Sequence, residues 1–170
     1  MGCESNASVT PRSAVTVSPP PNKPRVFVDA DALMAACASP GEHGASLVIL
    51  RLAEITLLEA LTCDQVIVEV QRNLQAKLPD AIPLFLTIVS RCLRVLPDPS
   101  PADLGPHVGL AYDEDLPILA AAAQAGCPWL ITFNVRHYQP GCPSVTVLRP
   151  GEFLLRVRDQ LSRLERAGDA

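Results

Sequence analysis

The stretch "VFVDADALM", residues 26–34, sets two aspartates, Asp29 and Asp31, where an apolar β-branched run stops. Similar residues recur within or beside other apolar segments. Glu69 lies in "VIVEVQRNL", Asp115 opens "DLPILAAA", and the amide Asn134 follows "WLITF". Singly, each has an ordinary explanation. Asp29 or Asp31 suits a helix cap, Asp115 caps the helix it opens, Asn134 fits a turn and Glu69 a solvated helix face. Together they point to different chemistry. Carboxylates that converge repel one another unless a cation, a proton or basic neighbours intervene. An oxygen-only donor set without His or Cys nearby suits Mg²⁺ or Mn²⁺, and such an ion on carboxylates suits phosphodiester hydrolysis.

Convergence requires a scaffold, and the rest of the chain supplies one. "RVFVDA" suits a central parallel strand. "DALMAACA" starts a helix that "SPGEHG" ends, "ASLVILRLAEI" continues as helix, and "TLLEAL" reads as a second strand. "TCDQVIVEVQRNLQAKLPD" is ambiguous, because "VIVEV" has strand propensity. Yet Thr62 and Gln65 have capping-box spacing, and Cys63, Val66, Val70 and Leu74 fall on one helical stripe. A helix is expected there, with Glu69 at the edge of the stripe. "AIPLFLTIVSRC" reads as helix, "LRVLP" as strand and "DPSPADLGPHVGLAY" as a proline-rich loop. "DEDLPILAAAAQAG" is a helix with Pro117 early and Gly126 as its stop. "WLITF" and "SVTVL" are strands around the turn region "NVRHYQPGCP", and "RPGEFLLRVRDQLSRLERAG" closes as helix. Strands alternating with helices imply an α/β fold whose parallel sheet is covered on both faces. Sites in such sheets lie at the carboxyl ends of the strands.

Composition sets the outer bounds. The 170 residues suffice for one domain with a sizeable core, 48% of them hydrophobic and 19% charged. Residues 1–24, rich in Ser, Thr and Pro, read as a disordered leader outside the fold. No apolar stretch is long enough to span a bilayer, and the Met1 end lacks a signal-peptide pattern, so a soluble, cytoplasmic protein is expected. Six cysteines without metal-ligand spacing read as small buried hydrophobes. A net charge of −4 argues against nonspecific attraction of nucleic acid by the whole surface. Arginines crowd the last stretch (Arg149, Arg156, Arg158, Arg163 and Arg166), as on a solvated helix face.

Asp29 in "VFVDADAL", Glu69 in "VIVEVQRNL", Asp115 in "DLPILAAA" and the segment "LITFNVRHY" occur in the order and rough spacing of a PIN domain. The ending "TVLRPGEFL" also looks like that family. The resemblance covers residues 25–157, leaving 158–170 as a helix end and tail. It implies a three-layer α/β/α sandwich with a central parallel sheet. It also implies a Mg²⁺- or Mn²⁺-dependent ribonuclease acting on single-stranded RNA, related to the VapC-type toxins of toxin–antitoxin pairs. An antitoxin protein and a second copy of the chain, in a homodimer, are the implied partners. Carried over by position, Asp29, Glu69 and Asp115 are the catalytic, metal-binding carboxylates. Asn134 takes the place of the family's usual fourth acid and offers an oxygen without charge. Thr132 is expected to shape the site beside it, and Arg136 to contact a substrate phosphate. The family's first motif commonly reads Asp-x-Asn, so Asp31 is a second departure, read as a helix cap.

Two other readings compete. "DADAL" fits the start of haloacid-dehalogenase-like phosphatases, with Asp29 as nucleophile and Asp31 as general acid, but the later motifs of that family fall in the wrong order. A catalytically silent PIN-like module that binds a protein partner is the other, supported by Asn134. No Gly-rich loop follows any strand, which disfavours a nucleotide site. His137 reads as structural or as a substrate contact rather than as a base.

Overall fold

The computed structural model describes residues 23–38 and 44–168, with the side chains of 164–168 excepted. Most of the expected leader, and most of the stretch expected to end the first helix, lie outside the described residues. The chain runs β1 (Arg25–Val28), α1 (Ala30–Ala38), α2 (Ala45–Glu54), β2 (Glu59–Cys63), α3 (Asp64–Lys77), α4 (Ile82–Cys92) and β3 (Leu93–Leu96). It continues with α5 (Pro101–Leu104), α6 (Leu116–Gln124), β4 (Trp129–Ile131), β5 (Thr146–Leu148) and α7 (Pro150–Gly168).

The strands form one parallel sheet in the order β3-β2-β1-β4-β5. β1 is central, and Val26, Phe27 and Val28 are buried on both sides, as an unbroken apolar run requires. α6 covers the sheet at β2 and β4, whereas α1 packs on α2, α3 and α4, and α2 on α4 and α7. The result is the expected α/β/α sandwich. The ambiguous segment is helix α3, and Val66, Val70 and Leu74 of its stripe are fully buried. Gly126 stops α6 at φ +64°, a left-handed conformation that favours glycine, while its N–H and that of Cys127 bond back to Ala123 and Ala122.

Two local expectations need correction. The proline-rich loop contains a helical turn, α5, closed by a capping box between Ser100 and Asp103. Thr62 does not cap α3; its hydroxyl donates to the carbonyl of Val28 across the sheet at 3.0 Å. Asp98, beyond β3, accepts the free Gln65 N–H at 2.8 Å instead. Cys37, Cys63 and Cys127 are buried, as expected of small hydrophobes, whereas Cys92 and Cys142 are half-buried. Burial pushes the Cys37 thiol up to about 11 and Cys63 to about 12, which keeps both protonated and inert. Among the described residues no helix is long and apolar enough to cross a membrane.

Candidate functional site

The chain leaves β1 to build β2 and β3 on one side and returns to build β4 and β5 on the other. The carboxyl end of β1 is therefore the point where strand order reverses, the usual place for a crevice. An open cleft of about 630 Å³ lies there. Asp29 enters it from the end of β1, Glu69 from α3, Asp115 from the start of α6 and Asn134 from the loop after β4. Four separate elements thus bring the expected residues together.

Asp29 is 5% exposed and firmly placed. Its backbone N–H continues the ladder to Ile131 at 3.0 Å. One carboxylate oxygen accepts the Ala30 N–H at 2.7 Å, the other the hydroxyl of fully buried Tyr138 at 2.8 Å. Each oxygen keeps a second lone pair. Asp115 sits at the position before α6 but makes no side-chain cap, contrary to expectation. Its carboxylate turns to His137 Nδ1 at 3.0 Å, and His137 stacks on Tyr112 at 4.8 Å between ring centroids.

The electrostatics of the cleft are strained. Burial, then Asp29 and Asp115, raise the Glu69 carboxyl above its ordinary range, with Arg72 opposing. Burial and then Asp29 also raise Asp115, against the pull of His137. Burial, Asp29 and the hydrogen bond to Asp29 push the Tyr138 phenol far upward, so it stays a donor. These carboxyls retain their protons longer than free ones do, because their neighbours are negative and partly desolvated.

Asp31 is the largest correction. It does not cap α1. It faces β4, where one oxygen accepts the Thr132 hydroxyl at 3.0 Å and the Phe133 and Asn134 N–H groups at 2.9 and 3.0 Å. The reason is strand order: β4 lies beside β1, so the first turn of α1 looks onto the end of β4. Burial and then Asp29 push Asp31 up to about 6, although these three donors lower it. Thr132 is fully buried in this clamp, bonding Asp31 and the Asn134 N–H, and does not line the cleft. Arg136 is exposed and outside the lining as well.

The cleft also holds Arg72, Asp98 and Glu114, which sequence reasoning left out, with Gln65, expected only in a helix cap, and His137, expected as structural or a substrate contact. Two left a signal. Arg72 follows Glu69 by three residues on the same helix face, and Asp98 follows a strand end. Among the described residues no three His, Cys, Asp or Glu side chains come close enough to enclose a metal ion. The donors nevertheless fit a hard ion that keeps part of its water shell, since Mg²⁺ binds through one or two carboxylates and several waters.

Sheet order and cleft define an α/β/α protein with an acidic site at its topological switch point. A family model described as PIN domain matches residues 25–136, and the chain belongs to that family. No curated protein matches the sequence. Among solved structures, a chain of VapBC2 from Rickettsia felis, bound to a DNA fragment from their promoter, is 15% identical with a TM-score of 0.56, over 74% of this chain and 98% of that one. VapC20 from Mycobacterium tuberculosis, a sarcin–ricin loop cleaving toxin, is 20% identical with a TM-score of 0.46, over 62% of this chain and 86% of that one. At such identities the first likeness is one of fold.

Proposed function

We propose that this PIN domain is an endoribonuclease that uses Mg²⁺ or Mn²⁺ to hydrolyse phosphodiester bonds of single-stranded RNA. The observation that carries the reading is the meeting of Asp29, Glu69 and Asp115 in one open cleft, where Asp29 helps to raise both others and only a few basic groups compensate. A hard divalent ion there supplies charge neutralisation and activation of water. Asp29, fixed by Tyr138 and Ala30, and Asp115, fixed by His137, would hold it, and Asn134 would add a neutral oxygen. Glu69, which also lines the cleft, would bind the ion directly or through water and orient the attacking water. Arg72 takes over the phosphate contact first assigned to Arg136, because Arg72 lines the cleft. Thr132 serves the site through Asp31 and the loop that carries Asn134.

The same reading makes the chain the toxin of a toxin–antitoxin pair, acting in the cytoplasm as a homodimer with an antitoxin protein as partner. The fold shared with the VapBC2 chain supports it. A silent PIN module that binds a protein is the second reading, and the uncharged Asn134 favours it. The phosphatase reading loses its general acid, because Asp31 is occupied by three donors of the β4 loop.

The test is cleavage of single-stranded RNA in Mn²⁺ and in chelator. Wild type should cut only with the ion, and Asp29→Asn, Glu69→Gln and Asp115→Asn should abolish cutting and weaken Mn²⁺ binding measured by calorimetry. A wild-type chain that neither cuts RNA nor binds Mn²⁺ sinks the nuclease reading in favour of the silent module.

A further inference from the structure

Aromatic side chains are scarce in this chain, with one Trp, two Tyr and four Phe. Five of the seven are buried or half-buried. The two exposed ones, Tyr112 at 57% and Phe133 at 45%, both belong to loops that deliver a residue to the cleft. Tyr112 lies three residues before Asp115, and Phe133 directly precedes Asn134. Scattered apolar residues on a surface need no explanation, but exposed aromatics confined to the rim of a site do.

Tyr112 is also held rigidly. Its N–H donates to the His137 carbonyl at 2.7 Å, and its own carbonyl accepts the N–H groups of Asp115 and Leu116 at 2.9 and 2.8 Å. One face of its ring lies on the imidazole of His137, with 23° between the planes. His137 in turn lines the cleft and bonds Asp115. The backbone around Tyr112 is therefore fixed on both sides, its inner ring face is covered, and more than half of the residue is left to solvent. A preorganised aromatic surface of this kind binds a flat partner with little loss of conformational entropy.

We propose that the Tyr112–His137 stack is a platform for an unpaired nucleobase of the RNA whose backbone passes through the acidic cleft. This rests on the reading of the cleft as a phosphodiester site and adds what the carboxylates cannot supply. Carboxylates repel the substrate backbone, so affinity must come from the ion, from Arg72 and from base faces. Stacking is available only where bases are unpaired, which selects single-stranded RNA over duplex, and it tolerates any base because every base has a π-face.

The probe is a short single-stranded RNA carrying 2-aminopurine, whose fluorescence falls when it stacks, titrated with the full chain in calcium. A 2-aminopurine at one position should be quenched by wild type. Tyr112→Leu should lose the quench and bind about 5- to 150-fold more weakly, the range measured for loss of one base–aromatic stack. Tyr112→Phe should stay within about twofold of wild type, because the ring face and not the hydroxyl is used. An RNA abasic at that position should bind wild type more weakly and the Tyr112→Leu variant unchanged. A merely structural role for Tyr112 would not depend on whether the base is present. Equal affinity of wild type and Tyr112→Leu, absence of quenching at every position, or failure of wild type to bind the RNA overturns the platform. Cleavage in Mn²⁺ is read separately. Quenching without cleavage leaves the platform standing and removes the nuclease, and cleavage with an unaffected Tyr112→Leu does the reverse.

Discussion

Glu59 and Glu69 are ten positions apart and lie near opposite ends of the same parallel sheet. Glu59 opens β2 at the amino edge, where Arg25 Nε lies 2.8 Å from one of its oxygens and Arg94 Nη1 3.1 Å from the other. Burial pushes Glu59 upward, but the two guanidinium groups outweigh it and hold the carboxyl below its ordinary range. Glu69, beyond the carboxyl edge, is shifted the other way by burial, Asp29 and Asp115. The protein can therefore neutralise a half-buried carboxylate with arginines, and at the cleft it leaves several incompletely compensated. Ion pairs with arginine lower carboxyl pKa values, whereas burial beside other carboxylates raises them.

Substitution should separate the two edges most sharply in activity. Glu69→Gln is expected to reduce Mn²⁺-dependent RNA cleavage at least about 100-fold, since placement of water and ion contributes several kcal/mol to such reactions. Glu59→Gln should leave the rate within about twofold. Rates measured side by side give the comparison, and equal losses in both variants would erase it.

The next effect is on stability against pH in metal-free protein. Asp31 is raised to about 6 in the fold. Its contribution to stability is complete below the unfolded value, and it is lost as pH rises toward about 6. Glu59, being depressed, contributes above the ordinary Glu range and loses its contribution in acid. Urea unfolding of wild type against Asp31→Asn should show a difference that grows by about 1–3 kcal/mol between the ordinary Asp range and neutral pH, in favour of the variant. A flat difference would mean that the cleft does not oppose ionisation of Asp31.

A smaller effect is expected at Asn134. Asn134→Asp adds a charge without changing size, so it should destabilise the metal-free fold and tighten Mn²⁺ binding by about 1 kcal/mol. Melting curves with Mn²⁺ and with chelator should show a larger metal-induced shift in the variant. An equal shift in both proteins would place Asn134 beyond the reach of the ion. The smallest expected effect lies at the opposite edge, where Glu59→Gln should cost less than about 1 kcal/mol in urea unfolding, the usual size for a partly exposed ion pair.

The sequence made the scaffold largely readable, because apolar runs such as "VFV" and the stripe Val66, Val70, Leu74 encode burial locally. Asp29, Asp115 and Asn134 could be picked out for the same reason, each lying where an apolar segment begins or ends, and Glu69 as the one carboxylate within the apolar run Val66–Val70. What could not be read depends on which strands become neighbours. Asp31 has a cap's spacing, yet its partners Thr132, Phe133 and Asn134 lie about a hundred residues away and meet it only because β4 pairs with β1. The same holds for Tyr138 on Asp29 and Asp98 on the start of α3. Helix α5 is different. Its Ser100 and Asp103 with Pro101 between them are a local signal, and the surrounding prolines obscured it.

The place of β1 in the middle of the sheet also matters while the chain is being made. β1, β2 and β3 leave the ribosome first and can pair with one another, but one edge of β1 stays open until Trp129–Ile131 has emerged. For that interval the nascent chain carries an unpaired edge on the largely apolar strand "RVFV", the kind of edge that recruits other chains. Over the same interval Asp29 lacks Tyr138, and Asp115 lacks His137. A chain built in this order closes its sheet and completes the hydrogen bonds of Asp29 and Asp115 together, once residues 129–138 have been made.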